Sequence, residues 1–314
     1  MAEARDDDDD DIFVYMGGNQ QVPRHIRRAR IHKSVKIIRA RAFRDRQYLI
    51  YVEFHDGVEI IEEEAFWGCL SLRVIKLLGV RIIKEKAFFH CGNLTDVEFG
   101  DVEIIEKQVF LYCPLKNIRI PSVRTIGKSA FYGCSKLSEV EFGEGLKTLK
   151  GQAVSNCYKL ERIALPLKDD MIEEHVFNEC PKLTTVDLVG GIHQTVASLH
   201  MESWRSEMTG EINRINQVLP TTIISYLKTD EIRQWMESVI HHLDHYKDEH
   251  RKLLKEATTL LELALWKASL AYSKEDDGRG VRTEGEVESS RDDIRYTSGA
   301  DIVIKNVLPF LALK

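Results

Sequence analysis

Six cysteines are the first residues of this chain that could do chemistry. They lie 21 to 23 residues apart along the chain, at Cys69, Cys91, Cys113, Cys134, Cys157 and Cys180. No two of them form the Cys-x-x-Cys pair that zinc sites and dithiol redox sites use. We therefore interpret them as small, buried, apolar residues. Disulfides between neighbouring cysteines and a ladder of metal ions are the alternatives.

Histidines in the C-terminal third form a second candidate for metal chemistry. His241 and His245 are four residues apart, a spacing that places two imidazoles on one face of a helix. The chain has no His-Glu-x-x-His motif, and both side chains lie opposite the apolar stripe of their helix, where closed coordination is hard to build. His250 lies on the stripe and is interpreted as a polar break that sets helix register. The sequence therefore predicts no metal site.

Two further motifs have structural explanations. Gly127-Lys128-Ser129 matches the end of a P-loop, but position 122 is Ser rather than Gly. Asn93-Leu94-Thr95 fits a glycosylation sequon, but Leu94 occupies a predicted core position. No dinucleotide-binding loop, nucleophile elbow or Ser/His/Asp set is recognisable. We predict no catalytic residue and no cofactor, and we expect that the protein is not an enzyme.

The cysteines belong to a repeat that organises the first two thirds of the chain. Segments such as EIIEEEAFWGCLSLRVIKL and RIIKEKAFFHCGNLTDVEF superpose as I-x-x-x-A-F-x-x-C-x-x-L-x-x-V-x-F. The aromatic or apolar anchor of each copy is Phe43, Phe66, Phe88, Phe110, Phe131, Val154 or Phe177. One unit cannot close a core alone, whereas stacked units can share one. The pattern predicts a solenoid with eight parallel strands, the first at Ile26–Ile31 acting as an N-terminal cap.

This unit resembles the BspA-type leucine-rich repeat, over about residues 23–188. The resemblance implies an α/β fold: a curved right-handed solenoid with a parallel β-sheet, a binding role and no catalytic residues. The helical remainder, from Arg205 to Leu311, resembles the tail of uncharacterised algal proteins that carry the same repeats, which implies no activity.

The helical remainder begins where the apolar period changes from two to 3.6 residues. Met208, Ile212 and Ile215 trace one helical face, and a second stripe from Ile232 to Ala268 predicts a helix that begins near Thr229-Asp230 and runs to Tyr272. A helix this long exceeds what capping a solenoid needs. We expect the 200–272 helices to serve both as a cap and for homo-oligomerisation.

These patterns divide the chain into five predicted regions. They are a disordered acidic tail (1–21), the repeat solenoid (22–192), a helical hairpin or long coiled-coil-like helix (193–273), a disordered linker (274–299) and a short amphipathic helix (300–314).

Strand alternation predicts an exposed sheet face. One outward column alternates in sign through Arg30, Glu53 and Lys76, so neighbouring strands would set opposite charges side by side. This arrangement is typical of a self-neutralising ladder, with a mixed-charge recognition face as the alternative. Tyr51 and Val74 form the one spot for apolar contact. The candidate partner-binding residues are Arg28, Arg30, Tyr51, Glu53, Val74, Lys76, Asp96, Glu98, Asn117 and Arg119.

Basic residues accumulate at the N-terminal end, where Asp45 is their one opposing charge between residues 24 and 46. The candidate anion patch is Arg24, Arg27, Arg28, Arg30, Lys33, Arg39 and Arg41. A cluster of this kind binds polyanions or serves as the polar cap of a solenoid. We interpret it first as a cap, and the preceding run Asp6–Asp11 as a charge-matching tail.

Composition favours a soluble protein with a core. The 314 residues are 43% apolar and 30% charged, with a formal net charge of −6. No apolar run is long enough to span a membrane, and the acidic start differs from a signal peptide, so we expect a cytoplasmic location, with the nucleus as an alternative. The sequence favours a protein-interaction scaffold. An adaptor for acidic membrane surfaces or nucleic acid, acting through the basic residues, is the alternative, although we do not expect nucleic acid itself.

Overall fold

The computed structural model describes residues 12–276, and it describes side chains through residue 267. The chain divides into two compact units, residues 1–243 and residues 244–314. The acidic run Asp6–Asp11, residues 277–299 of the predicted linker and the predicted helix 300–314 lie outside the described residues.

The repeats form a stack of coils, and most coils contribute one longer and one shorter strand. The longer strands are β1 Ile12–Tyr15, β2 Arg28–Ile31, β4 Tyr51–Glu53, β6 Val74–Leu77, β8 Asp96–Phe99, β10 Asn117–Ile120, β12 Glu139–Phe142, β14 Arg162–Pro166 and β15 Thr185–Val189. The shorter strands are β3 Ile37–Ile38, β5 Ile60–Ile61, β7 Ile82–Ile83, β9 Ile104–Ile105, β11 Thr125–Ile126 and β13 Thr148–Leu149. All pairs are parallel, which confirms the predicted α/β solenoid.

The longer strands differ from the prediction in two ways. They form three sheets, β1-β2-β4, β6-β8 and β10-β12-β14-β15, rather than one. The break after β8 coincides with Pro114, which lacks an N–H and lies where one residue is missing from the Cys-x-x-Leu spacing. The second difference is β1, which lies inside the predicted disordered tail and pairs with β2. The solenoid therefore begins at Ile12, one strand earlier than the predicted cap.

The A-F turns join the coils through a third ladder of hydrogen bonds. Phe66 N–H donates to Ala87 C=O at 2.7 Å, and Gly68 N–H donates to Phe89 C=O at 3.0 Å. In this geometry, the residues two before and two after the anchor adopt backbone conformations in the left-handed region. Around the anchor Phe88 they are Lys86 (φ 56°) and His90 (φ 57°). Non-glycine residues adopt this region rarely, so the inter-coil hydrogen bonds must stabilise it.

The shared core is a column of anchors beside a column of thiols. Successive rings of Phe43, Phe66, Phe88, Phe110 and Phe131 stack at centroid distances of 4.9, 5.1, 5.2 and 5.4 Å. All seven predicted anchors and all six cysteines are buried, and the cysteines are free. The predicted apolar stack is confirmed, and disulfides are excluded.

Three helices follow the repeats: α1 Ile192–Ala197, α2 Glu202–Val218 and α3 Lys228–Asp276. The predicted stripe of α2 is buried at Met208, Ile212 and Ile215. Trp235 Nε1 of α3 donates to Glu211 C=O of α2 at 2.9 Å, so these two helices contact each other. The third helix extends past the predicted end at Tyr272.

The second unit contains the later part of α3. Several large apolar side chains in this part of α3, on the predicted apolar stripe or next to it, are exposed. They include Leu253, Leu260, Leu263 and Leu265. Ion pairs at i,i+3 spacing, such as Lys252–Glu249 at 2.6 Å, stabilise this part of the helix locally.

Candidate interaction surfaces

The alternating charges of the outer sheet face pair with each other. In every sheet of longer strands, a basic residue on one strand contacts an acidic residue on the next. The distances are 2.6 Å for Arg30–Glu53, 3.0 Å for Lys76–Glu98, 3.2 Å for Arg119–Glu141 and 2.6 Å for Arg162–Asp187. The side chains of these pairs are 39% to 75% exposed, so each pair contributes little stability, but its two charges neutralise each other. The geometry matches a self-neutralising ladder.

The remaining polar members of the candidate face also have local partners. Asn117 Oδ1 accepts a hydrogen bond from Ser138 Oγ at 2.7 Å. Asp96 accepts one from Thr95 Oγ1 at 2.5 Å and lies 3.9 Å from Lys116 Nζ. Ala164, which is in register with Glu141 and Asp187, is buried.

The apolar spot of the face is larger than the two residues that the strand pattern indicates. Tyr51 is 47% exposed and Val74, in the same repeat position one coil later, is 42% exposed. Tyr48 and Ile50, in the turn just before β4, are exposed as well. We call these four residues the Tyr51 patch. It lies where the ladder is interrupted, because β4 and β6 belong to separate sheets.

Tyr48 and Ile50 escaped the sequence interpretation because they precede the strand. Their signal is a departure from the repeat: the position of Ile50 is Arg27, Arg73 or Thr95 in neighbouring coils. Arg27 and Arg73 therefore flank the patch with basic side chains. A partner with an apolar anchor and acidic surroundings fits this surface.

The basic N-terminal residues are spread over the solenoid end. Arg24, Arg27 and Arg28 lie at the start of β2, whereas Lys33 follows its other end and Arg39 follows β3, in the other ladder. The residues of the candidate anion patch therefore lie at both ends of β2 and beyond β3.

Carboxylates of the next coil also neutralise part of this basic set. Glu64 is buried and contacts both Arg41, at 2.7 Å, and Arg44. The hydrogen bond that Arg41 donates to Glu64 raises the pKa of Arg41. Lys36 contacts Glu59 at 3.2 Å. Asp45 is the one acidic residue between residues 24 and 46, but in the fold Glu59 and Glu64, one repeat later in sequence, supply further opposing charges.

A second alternating column runs beside the shorter strands and lines an open groove. Glu103 lies between Arg81 and Arg124, and Lys147 and Lys168 continue the groove wall. Arg81 Nε donates to Glu103 at 2.9 Å, and this contact lowers the pKa of Glu103. Lys168 Nζ donates to Glu144 C=O at 2.6 Å. Several of the charged side chains that line the groove thus already bind each other or a backbone carbonyl.

The cysteines have a more specific role than filling space. Each thiol donates to a backbone carbonyl one coil earlier, as Cys69 Sγ does to Phe43 C=O and Cys91 Sγ to Phe66 C=O, both at 3.2 Å. Burial raises the pKa of Cys69 to about 12 and also raises the pKa of Cys91. Protonated, enclosed thiols are poor nucleophiles and poor metal ligands.

Arg46 occupies the cysteine position of the first full coil and performs a similar task. Its Nε donates to Val22 C=O at 2.9 Å, and its Nη1 donates to Arg44 C=O at 2.5 Å. The long side chain reaches carbonyls at the solenoid end that a thiol could not.

Among the histidines of α3, the rings of His241 and His242 lie edge to face with their centroids 6.1 Å apart. His241 and His245 are exposed, whereas His242 contacts Ser238 C=O through Nδ1 at 2.8 Å. Among the residues that the structure describes, no three His, Cys, Asp or Glu side chains are placed to hold a metal ion. Over the same residues, no helix has the length and hydropathy to cross a bilayer.

The C-terminal end of the solenoid is closed by side chains that the sequence did not single out. Lys228 is buried, and its Nζ donates to Pro181 C=O at 2.8 Å and to Leu183 C=O at 2.6 Å. Burial lowers the pKa of Lys228. Thr229, predicted as a helix cap, instead accepts a hydrogen bond from Phe177 N–H at 2.9 Å. Asn216 of α2 accepts one from Val186 N–H of the last strand at 2.8 Å.

Comparisons with known proteins follow the repeat. The model of the BspA-type leucine-rich repeat region, with six copies, matches residues 24–123 and 103–203, more than half of the chain. A search of curated proteins finds no relative that matches.

Solved structures of bacterial proteins also match. A leucine-rich repeat protein from Bacteroides ovatus is 28% identical, with 51% of this chain and 42% of that chain covered and a TM-score of 0.41. The leucine-rich repeat protein of T. pallidum is 23% identical, with 56% and 71% covered and a TM-score of 0.35. This chain therefore spans less than half the length of the Bacteroides ovatus chain.

Proposed function

Because this chain belongs to the BspA-type leucine-rich repeat family, we propose that it is a non-catalytic scaffold that binds another protein through the outer face of its solenoid. Such repeat solenoids are typical interaction scaffolds. The observation that carries the proposal is the Tyr51 patch, because it is exposed and apolar on a face whose charges otherwise neutralise each other. Aromatic anchors of this kind contribute much of the binding energy at protein interfaces.

The test is quantitative affinity capture from a lysate of the native cell. The double variant Tyr51→Ser/Val74→Ser replaces the two strand residues of the four-residue patch. The matched control, Arg119→Ser/Glu141→Ser, removes one ion pair of the ladder. We expect the patch variant to lose its specific partners and the ladder variant to retain them, with melting temperatures confirming that both fold. Retention of every partner by the patch variant would refute the proposal.

An anion-binding adaptor acting through the basic N-terminal residues is the second candidate. Arg24, Arg27 and Lys33 are exposed and could contact a polyanion, although their dispersion over the solenoid end favours the scaffold. Binding of a polyanion that weakens steeply with salt and disappears in Arg24→Ser/Arg27→Ser would support the adaptor.

The helical region provides the proposed cap and self-association surface. Contacts of Lys228, Thr229 and Asn216 with the last coils support the capping role. Exposed Leu253, Leu260 and Leu263 support association between copies of α3. Light scattering should show a smaller mass for Leu260→Glu/Leu263→Glu than for the unaltered chain, and equal masses would refute homo-oligomerisation through these residues.

A further inference from the structure

The loop that joins α2 to α3 exposes a run of large apolar side chains. Within residues 222–227, which we call the apolar loop, Ile223 is 94% exposed, Tyr226 54%, Ile224 46% and Leu227 36%. Four of six consecutive side chains are thus apolar or aromatic and accessible to solvent. A run of this kind usually marks an interaction site.

The apolar loop is held in place at both ends. Thr222 N–H and Oγ1 both bond to Val218 C=O, each at 3.1 Å, and buried Leu219 secures the end of α2. At the other end, Lys228 bonds to the carbonyls of Pro181 and Leu183. The loop therefore projects from a fixed base.

A column of lysines adjoins this base. Lys136, Lys159 and Lys182 occupy one repeat position, and the strand register Glu139↔Arg162↔Thr185 places them one strand spacing apart. All three are exposed, and none forms an ion pair with another described residue. Because Lys228 bonds to the carbonyls on both sides of Lys182, the column ends beside the loop.

Nearby carboxylates reduce this positive charge only in part. Glu161 and Glu179 are exposed in the same coils. Asp230, in the first turn of α3, lies 4.0 Å from Arg233. Glu139, in the coil of Lys136, is exposed as well. The three glutamates occupy three different repeat positions, whereas the lysines share one, so the positive charges stay aligned in one column.

We propose that the apolar loop and the lysine column together dock on an anionic lipid surface. Ile223 and Ile224 enter the interfacial layer, Tyr226 lies at headgroup level, and Lys159 and Lys182 meet lipid phosphates. A lipid surface suits this shape better than a folded protein does. The loop protrudes, and a bilayer accepts a protruding apolar tip without a complementary pocket.

The experiment uses the full chain with Ile223→Cys, labelled with an environment-sensitive dye. The native cysteines of the solenoid are buried, so the new thiol reacts selectively. We expect a blue shift and stronger emission with vesicles of 70% phosphatidylcholine and 30% phosphatidylserine, and little change with pure phosphatidylcholine. Quenching by lipids brominated near the headgroup would locate the dye in the interface.

Unlabelled variants measure each contribution by vesicle sedimentation. Ile223→Ser/Ile224→Ser should weaken binding by about tenfold or more. Lys159→Ser/Lys182→Ser should weaken it by roughly fivefold per lysine. Leu78→Ser/Tyr112→Ser removes two exposed apolar or aromatic residues outside the loop and the Tyr51 patch, 42% and 52% exposed, and should stay within about twofold of the unaltered chain.

Three outcomes would overturn the proposal. Absence of binding to anionic vesicles is the first. The second is binding that survives the isoleucine variant but is lost in Arg24→Ser/Arg27→Ser, which would assign it to the basic N-terminal residues. The third is a dye shift that follows protein concentration without vesicles, which would assign the loop to contact with a second copy. None of these results bears on the Tyr51 patch, so the scaffold function is tested separately.

Discussion

The repeats and the C-terminal cap of the first unit treat their side chains differently. In the repeats, a residue contacts the residue that occupies the same repeat position one coil away: Phe66 stacks on Phe88, and Lys76 pairs with Glu98. In the cap, contacts such as that of Lys228 with Leu183 occur once, and the apolar loop beside them is exposed. Within the repeats, side chains already bind the equivalent side chains of neighbouring coils. Surface that can bind a partner is therefore found mainly where the repeat pattern is interrupted or ends.

The largest expected difference between the two regions is their response to alkaline pH. Burial raises the pKa of Cys69 to about 12, and it also raises the pKa of Cys134 and Cys157. The folded chain therefore keeps protons that the unfolded chain releases above about pH 8.5. The free energy of unfolding should fall as pH rises from about 9 toward 12.

Burial lowers the pKa of Lys228 in the cap, so its titration acts in the opposite direction. Loss of the Lys228 proton costs less in the folded state than in the unfolded state, so rising pH removes part of the cost of burying this amine. Urea unfolding of Lys228→Met across this pH range should therefore show a steeper decline than the unaltered chain. A flat profile between pH 9 and 11 in the unaltered chain would contradict the buried thiol column.

Removal of one ring from the middle of the stack is the next largest effect. Phe88→Ala loses contacts with Phe66 and Phe110 and leaves a cavity, at a cost of about 3–5 kcal/mol. Urea unfolding measures the change. Tyr112→Ala, an exposed ring on the same coils, serves as the control and should cost about 1 kcal/mol or less. Equal costs would contradict a shared core.

Loss of the capping lysine should cost less than loss of a ring. Lys228→Ala leaves the carbonyls of Pro181 and Leu183 without their charged donor, and we expect a cost of about 2–3 kcal/mol. Exchange of the amide hydrogens of the last coil should also accelerate, while exchange around β7 stays unchanged. Equal acceleration of amide exchange in the last coil and around β7 would show that the effect of Lys228 is not confined to the C-terminal end of the solenoid.

Arg46 at the other end gives a smaller effect. The sequence alone suggests that Arg46→Ala does little, whereas its bonds to Val22 and Arg44 predict a cost of about 1–2 kcal/mol. Arg46→Cys tests whether the length of the Arg46 side chain matters or only the presence of a hydrogen-bond donor at this position. We expect the thiol to recover less than half of the loss in thermal unfolding, and full recovery would refute the need for a long donor.

The smallest effect should come from the ion-pair ladder. Arg119→Ala breaks an exposed pair with Glu141, so we expect a change of about 0.2–1 kcal/mol. A double-mutant cycle with Glu141→Ala measures the coupling. A coupling above about 2 kcal/mol would show that these pairs hold the sheet together.

The repeat explains how much the sequence could predict. Spacing alone identified the Phe and Cys columns, and strand alternation identified the partners of Lys76 and Arg119, because the same register recurs in every coil. The strand at Ile12–Tyr15 was missed because it lacks the other features of the repeat and follows a run of aspartates.

Residues that act through a single contact were beyond the pattern. Glu64 serves Arg41 and Arg44 from the next coil, and nothing in their local sequence reveals it. Lys228 reads as an ordinary first-turn lysine, and Ile223 as a loop residue, because burial and exposure at these sites depend on how α2 and α3 meet the last coils.

The most direct test of the account places a photo-crosslinking residue at one position at a time in the native cell. The positions are Tyr51 in the patch, Ile223 in the apolar loop and Arg119 in the ladder. The account predicts protein adducts from position 51, lipid adducts from position 223, and only background from position 119. Adducts from position 119, with none from 51 or 223, would contradict the claim that partners contact the molecule where its repetition stops.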